Sequence, residues 1–390
     1  MALNPTLVGP VAAPRWAEAR RLLAVRLDNM GDVLMTAPAL AALKRRANGT
    51  RLTLLTSPQG AEVARHIQAV DECLVYRSPW TRQPEDEPGS PTRDLELIER
   101  LRAHRFDAAI VFTVCTQSAL PAALLCRLAG IPLRLAHSRE NPYELLTDWV
   151  LETDVCADGM RHEVQRQLDL VRSVGYASEN DRLRFELKPA DRLAMHAALS
   201  AAGGHPERPW IVVHPGASAP SRRYPAQRFG QAADALARST GCQIVFTGTA
   251  DEQPLVNDAT SAMRSPFVNL TGRLGLGPLA SLIGGARALL CNNSGPAHLA
   301  AALGTPVVVL YALTNPQHTP WRANARVLSH DVPCRHCLKS VCPEGHHHCL
   351  RRIEVQQVVD AVGELLDHPD GGPFAARPPF SIQPLQEARA

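Results

Sequence analysis

Apolar residues fall in short runs separated by segments of helical spacing, and this alternation begins near residue 22 and restarts after residue 208. Residues 22–27 (LLAVRL), 52–56, 73–76 and 108–113 are rich in Leu, Val or Ile and predict strands. Residues 38–47 and 95–104 between them predict helices. In the second half, 211–214, 244–247, 288–291 and 307–311 predict strands, and 225–239, 251–263, 278–284 and 296–303 predict helices. Pro225, Pro278 and Pro296 are expected in first helical turns, where a missing N–H costs nothing. Continuous apolar strands alternating with helices imply a parallel sheet covered on both faces. Two doubly wound α/β domains in tandem follow.

The expected division is an N-terminal extension over 1–20, a first domain over 21–203 and a second over 204–352. Their boundary is placed in the Gly/Pro-rich stretch 203–209 (GGHPERP). A helix over 353–367 is expected to pack across the junction, and the Pro-rich tail 368–390 is expected to be disordered. Residues 78–93 carry four prolines and mixed charge, which reads as an exposed insertion or an acceptor-site flap.

Length agrees with two domains: 390 residues exceed one ordinary core. The 41 basic and 38 acidic residues leave a net charge of only +3, and aromatic residues make up 5%. Neither suits a nucleic-acid binder. Residues 295–317 are uncharged, but Gly304 and Pro306 interrupt them, so they read as a buried helix and a strand rather than a membrane span. The first 14 residues lack a basic segment and a continuous apolar run. A cytoplasmic protein is expected, with its ten cysteines free, buried or metal-bound rather than paired.

Three strand–loop–helix junctions carry candidate chemistry. Residues 26–38 (RLDNMGDVLMTAP) put Asp32 just beyond a strand, where open α/β sheets bind ligands. By residue chemistry alone Asp32 is either a helix cap or a base, and Gly31 would let backbone approach a ligand. Residues 213–225 (VHPGASAPSRRYP) offer small residues plus Arg222 and Arg223, either a phosphate site or a solvated basic pair. Residues 291–299 (CNNSGPAHL) make an anion site of the helix-terminus type, with Ser294 and His298 as donors. No Walker loop, G-x-G-x-x-G after the first strand, Asp-x-Asp or G-x-S-x-G is present. Positive charge from Arg and helix ends would have to replace Mg²⁺ at a diphosphate.

Together, in this order, the motifs resemble glycosyltransferase family 9, the lipopolysaccharide heptosyltransferases, over roughly residues 21–365. The Asn29-Met30-Gly31-Asp32 run looks like that family's [SN]-x-G-D signature. His214 to Pro225 is similar to its H-P-G-x-S…[KR]-x-[WY]-P stretch, and Asn293 to Pro306 to its [DN]-S-G-x-x-H-L-A-A-A-L-G-x-P run. Thr314-Asn315-Pro316 and Pro320-Trp321 match the downstream pattern. The resemblance implies a GT-B fold, two Rossmann-like domains facing across a cleft, acceptor on the first and nucleotide-sugar on the second. It implies an inverting, metal-independent transfer with Asp32 as general base and Asn29 and Gly31 on the acceptor-side loop.

The donor side implied by the resemblance comprises Ser218, Arg222, Glu252, Leu274, Asn293, Ser294, Gly295 and His298. Arg222 falls where the family uses Lys against the donor phosphates. Ser294, Gly295 and His298 fall on the diphosphate turn, Glu252 near the ribose and Leu274 near the adenine. Asn293 stands where many members have Asp against the donor sugar, which leaves the donor open. The expected partners are an ADP-sugar, with ADP-heptose the family's best-known donor, and a lipid-linked inner-core glycan reached by peripheral contact with the inner membrane. Two alternatives stand: a GT-B transferase using another nucleotide-sugar for a different surface glycan or protein, and a non-catalytic nucleotide-sugar-binding or metal-scaffold protein.

Cys334, Cys337, Cys342 and Cys349 form C-x2-C-x4-C-x6-C, with His336 and His346, His347 and His348 interleaved. The cluster reads either as a closed structural Zn²⁺ site or as free thiols or disulfides in a loop that some family members carry. No metal is expected in catalysis. The other six cysteines read as core residues.

Overall fold

A computed structural model describes residues 13–45, 49–81 and 90–368. The chain divides into two compact units, Met1–Val155 with Glu163–Glu186, and Cys156–His162 with Leu187–Ala390.

The first unit is built on a six-stranded parallel sheet in the order β3-β2-β1-β4-β5-β6. Its strands are β1 (Arg21–Arg26), β2 (Arg51–Thr56), β3 (Glu72–Val75), β4 (Ala108–Val111), β5 (Leu133–Ser138) and β6 (Asp148–Leu151). Every residue of β4 and β5 is buried, as expected of a sheet covered on both faces. The helices are α1 (Ala13–Glu18), α2 (Met30–Arg45), α3 (Pro58–Ala64), α4 (Pro91–His104), α5 (Leu120–Leu128) and α6 (Glu163–Ser173). The second unit repeats the order as β12-β11-β10-β7-β8-β9, also parallel. Its strands are β7 (Trp210–His214), β8 (Gln243–Phe246), β9 (Phe267–Asn269), β10 (Ala288–Asn292), β11 (Val307–Leu310) and β12 (Ala325–Leu328). The helices are α7 (Pro189–Ala201), α8 (Ala226–Thr240), α9 (Gln253–Thr260), α10 (Leu276–Gly284), α11 (Gly295–Leu303), α12 (His348–Arg351) and α13 (Val355–Asp367).

In both sheets the connections reverse direction between two central neighbours, β1 and β4 in one and β7 and β10 in the other. Ligands of open α/β sheets bind beyond the strand ends at such points.

Several expectations need correction. The last part of the expected extension, 1–20, belongs to the first unit: Trp16 is fully buried, and its Nε1 donates to Asp148 Oδ2 at 3.1 Å. Helix α2 begins eight residues before Pro38 and is buried on nearly all sides. Stretch 203–209 is a loop inside the second unit, between α7 and β7. Its Gly and Pro mark a helix end, with Gly203 at φ 82°. Helix α7 buries Met195 and Leu199 and packs on α10. A Cβ at Gly277 would sit 2.3 Å from the Asp191 carboxylate, so only glycine permits that approach. Helix α13 packs against α8 in the second unit's own core, through Val358, Ala361, Val362 and Leu365. The expected tail, and residues 82–89 of the expected flap, lie outside the described residues.

Candidate active site

The first unit gathers charge where β1 ends. Arg26 closes the strand and is fully buried. Its Nε lies 2.8 Å from Asp28 Oδ2, its Nη1 3.0 Å from Glu163 Oε1 and its Nη2 3.3 Å from Asp32 Oδ1. Burial disfavours the guanidinium charge, yet Asp28, Glu163 and Asp32 hold its pKa above the ordinary value. Burial raises the Asp28 carboxyl, and Asp32 and Glu163 add to that, against Arg26 and a hydrogen bond from Gln117.

Asp32 occupies the first turn of α2, and its N–H donates to Asn29 O at 3.1 Å. Asn29 thus caps the helix through its backbone while exposed, and Gly31 lies in the same turn. Behind Arg26, Arg166 bonds Glu152 through Nε at 2.7 Å and Gln167 Nε2 donates to Glu163 Oε1 at 2.6 Å. Arg166 Nη1 donates to Thr113 O. Asp32, 15% exposed, faces a fixed cation and stays reachable, the arrangement expected of a positioned base.

The second unit gathers polar groups at the ends of β7 and β10. Asn292 closes β10, fully buried, and accepts from Tyr224 N at 3.0 Å while donating to Pro215 O at 2.7 Å. It fixes loop 215–224 to the sheet. Arg222 ends a 3-10 turn, Pro220–Arg222. Ser221 anchors that turn through its N–H to Ser340 O at 3.0 Å and its Oγ to Lys339 O at 2.7 Å. Ser294 caps α11 with extended backbone and no side-chain cap bond, and Gly295 begins the helix.

Arg222, Asn293 and His298 come together. The Arg222 charge acts on both His298 and the Tyr311 hydroxyl, and Asn293 lies beside that hydroxyl. Arg222 Nε, Asn293 Nδ2 and His298 Nδ1 are buried without a hydrogen-bond partner. Buried polar atoms left unpaired are costly, so the three together make this a candidate ligand site. Burial pushes the His298 imidazole down to about 3, with His318, His162 and Arg222 adding to the push. His298 therefore offers a neutral hydrogen bond, not a charge.

Glu252 sits on an adjoining loop. Its Oε2 accepts from Thr249 N at 2.9 Å and lies 3.8 Å from His214 Nε2. A Cβ at Gly216 would stand 2.2 Å from the Glu252 carboxylate, so the glycine lets the two loops touch. Burial lowers the His214 pKa, against Glu252. Leu274 is half-buried, two residues beyond Gly272, whose N–H bonds Gly248 O at 2.9 Å. Ser218 is exposed on its loop.

The cysteine loop does not fit a closed metal site: no three His, Cys, Asp or Glu side chains among the described residues come close enough to share an ion. All ten cysteines are unpaired. Cys334 Sγ is 3.9 Å from His346 Nε2, and the His346 ring stacks on His348 instead. The loop's evident part is structural, since its Ser340 and Lys339 carbonyls hold Ser221. Of the six cysteines read as core, Cys73 and Cys156 are only partly buried.

Sequence reasoning missed Arg26, Glu163, Asn292 and Tyr311. Arg26 was legible as a charge inside an apolar strand. Glu163 and Tyr311 carried no motif signal, and Asn292 was hidden by its neighbour Asn293.

The sequence profile of "Glycosyltransferase family 9 (heptosyltransferase)" matches residues 95–348. Lipopolysaccharide heptosyltransferase 2 of Salmonella typhimurium is 28% identical over 330 residues, 78% of this chain and 91% of that protein. The crystal structure of a family 9 glycosyltransferase from Veillonella parvula superposes with a TM-score of 0.75 at 24% identity, covering 89% of this chain and 97% of that one. The E. coli ADP-heptose lps heptosyltransferase II gives 0.71 at 24% identity, over 90% and 99%. These likenesses carry the GT-B fold.

Proposed function

The chain belongs to glycosyltransferase family 9 and is a glycosyltransferase, and from that premise we propose that it transfers heptose from ADP-heptose to the inner core of lipopolysaccharide, inverting the anomeric centre without a metal. The relatives named as lipopolysaccharide heptosyltransferases support the sugar and the acceptor. The observation that carries the donor side is the trio of unpaired buried polar atoms on Arg222, Asn293 and His298.

In this reading Asp32 takes the proton of an acceptor hydroxyl as its oxygen attacks the anomeric carbon. The bond from that carbon to the diphosphate oxygen breaks, and ADP leaves. Arg222 and the N-terminal end of α11 offset the charge that grows on the departing diphosphate. Ser294, Gly295 and His298 hold the diphosphate by hydrogen bonds. Asn293 meets the sugar, Glu252 the ribose, Leu274 the adenine, and Ser218 borders the donor loop. Asn29 and Gly31 shape the acceptor side. The acceptor is lipid-linked, so the protein works in peripheral contact with the cytoplasmic face of the inner membrane. Among the described residues no helix is long and apolar enough to cross it.

A thermal-shift panel with ADP, UDP, GDP and CMP, with and without EDTA, tests the donor. Ligand at about 100 times Kd adds roughly 2.7 kcal/mol, a rise of roughly 5–10 °C for domains of this size. The expected result is a shift with ADP alone that survives EDTA. A shift with UDP or GDP instead replaces the donor and keeps the transferase. Asn293, which lacks the charge of the family's Asp, is the feature that would favour that outcome.

A further inference from the structure

We propose that His214 is a positioning residue for Glu252, and that the pair takes up a proton when a nucleoside diphosphate binds against it. Which ligand the pair meets rests on the transferase reading. The pair itself is read from the second unit's own geometry.

Three loops converge on the Glu252 carboxylate. Glu252 closes the 3-10 turn Ala250–Glu252, and the Thr249 N–H donates to its Oε2 at 2.9 Å. Among the described residues no other hydrogen bond reaches that carboxylate. A Cβ at Gly248 would stand 3.2 Å from the same oxygen, and one at Gly216 2.2 Å from the carboxylate, so glycine on both loops gives Glu252 its room. His214 Nε2 lies 3.8 Å from Glu252 Oε2. That is too long for a hydrogen bond and close enough for a charge pair.

On its other side, His214 Nδ1 lies 3.0 Å from Thr247 Oγ1, and both residues are buried. A hydroxyl both donates and accepts. Thr247 can donate to Nδ1 of the neutral ring, which turns Nε2–H toward Glu252. It can equally accept from Nδ1–H of the charged ring. Neither state strands a polar atom, so the ring can change its charge in place.

Burial disfavours the charged ring and Glu252 favours it, and no other charged group among the described residues acts on it. Its register partner across the sheet is Cys291, whose thiol is kept neutral by burial. His298 is the opposite case, since His318, His162 and Arg222 all resist a positive charge there.

The ligand supplies the drive. The Glu252 side chain is 13% exposed, so water still solvates part of its charge. A nucleoside lying on it removes that water, and a desolvated carboxylate favours a cation beside it. The phosphates bring further negative charge. Both effects draw a proton from solvent onto His214, and it returns to solvent when the ligand leaves. The charged ring then holds the carboxylate in place for the ribose hydroxyls that donate to it.

The test is calorimetry of ADP binding to the full chain near neutral pH, in buffers of different ionisation heat, which counts the protons taken up. The terminal phosphate of ADP titrates in the same range, so the proteins are compared with one another. The unaltered protein should take up about 0.3 proton or more per ADP beyond His214→Gln. Thr247→Val, which touches no proposed ligand group, should lose most of the same uptake, because the charged ring then lacks an acceptor at Nδ1. Melting temperatures check that both variants fold. From pH 8 to 6 the ratio of the His214→Gln Kd to the unaltered Kd should rise about four- to tenfold. A merely structural role would weaken binding equally at every pH. Equal proton counts in all three proteins, or proton release on binding, overturns the pair. If UDP or GDP binds in place of ADP, the donor reading falls, and the same proton count on that nucleotide decides the pair. Binding of no nucleotide overturns both.

Discussion

The Arg26 guanidinium stands 3.3 Å from the Asp32 carboxylate and touches Asp28 and Glu163 with its other nitrogens. One buried cation thereby orients the proposed base and balances two further acids. Family resemblance marks Asp32 but says nothing of what holds it. The geometry makes Arg26 its positioning residue.

Arg26→Gln should therefore cost both stability and turnover. It removes the nearest cation from buried Glu163, leaving Arg166 Nη1 at 3.9 Å; breaking a buried pair costs about 3–5 kcal/mol in comparable cases. Adding Glu163→Gln removes that under-compensated charge. The double variant should recover much of the melting temperature while kcat stays down tenfold or more, since Asp32 remains unheld. Denaturant unfolding and single-turnover rates on the four proteins of the cycle check this.

Arg222→Ala should raise the Kd for ADP by roughly 10- to 100-fold, the range for a lost charge-assisted hydrogen bond. Arg222→Lys should restore only part, since the point charge keeps the attraction but not the fork. Gly216→Ala should act in the same direction through Glu252, because the new methyl falls 2.2 Å from that carboxylate. Isothermal titration with ADP measures all three.

His298 makes the second unit sensitive to acid. Its folded pKa, pushed down to about 3 by burial, lies below the ordinary histidine value of 6.5. Folding therefore favours the neutral ring, and the stability it contributes is fully present above pH 6.5. That contribution is lost as the pH falls from 6.5 toward 3. His298→Gln should flatten this part of the melting-temperature profile relative to the unaltered protein. Parallel profiles would contradict it.

The central strands were legible because β7, β10 and β11 are nearly continuous apolar runs flanked by turns and β1 is apolar between its terminal arginines. Strands β5 (LRLAHS) and β6 (DWVL) were not, because they bury Arg134, His137 and Asp148. Each finds a partner that pattern cannot show: Arg134 Nε donates to Leu145 O at 2.8 Å, His137 Nε2 lies 3.3 Å from Arg166 O, and Asp148 takes the Trp16 indole. Helix α6 was missed for the same reason, since Glu163, Arg166 and Gln167 point inward. Arg222, Asn293 and His298 were legible because each lies at a strand-to-helix junction inside a recognisable motif. The domain boundary was misplaced because the chain crosses between units three times, without a flexible linker to mark it.

The most direct measurement is mass-spectrometric detection of heptose transfer from ADP-heptose to a heptose-deficient inner-core acceptor, in EDTA, by the unaltered protein and by Asp32→Asn. The account predicts a product one heptose heavier from the unaltered protein, and a rate at least about 100-fold lower from Asp32→Asn, which removes the base, with ADP binding unchanged. Equal rates from the two proteins would contradict it.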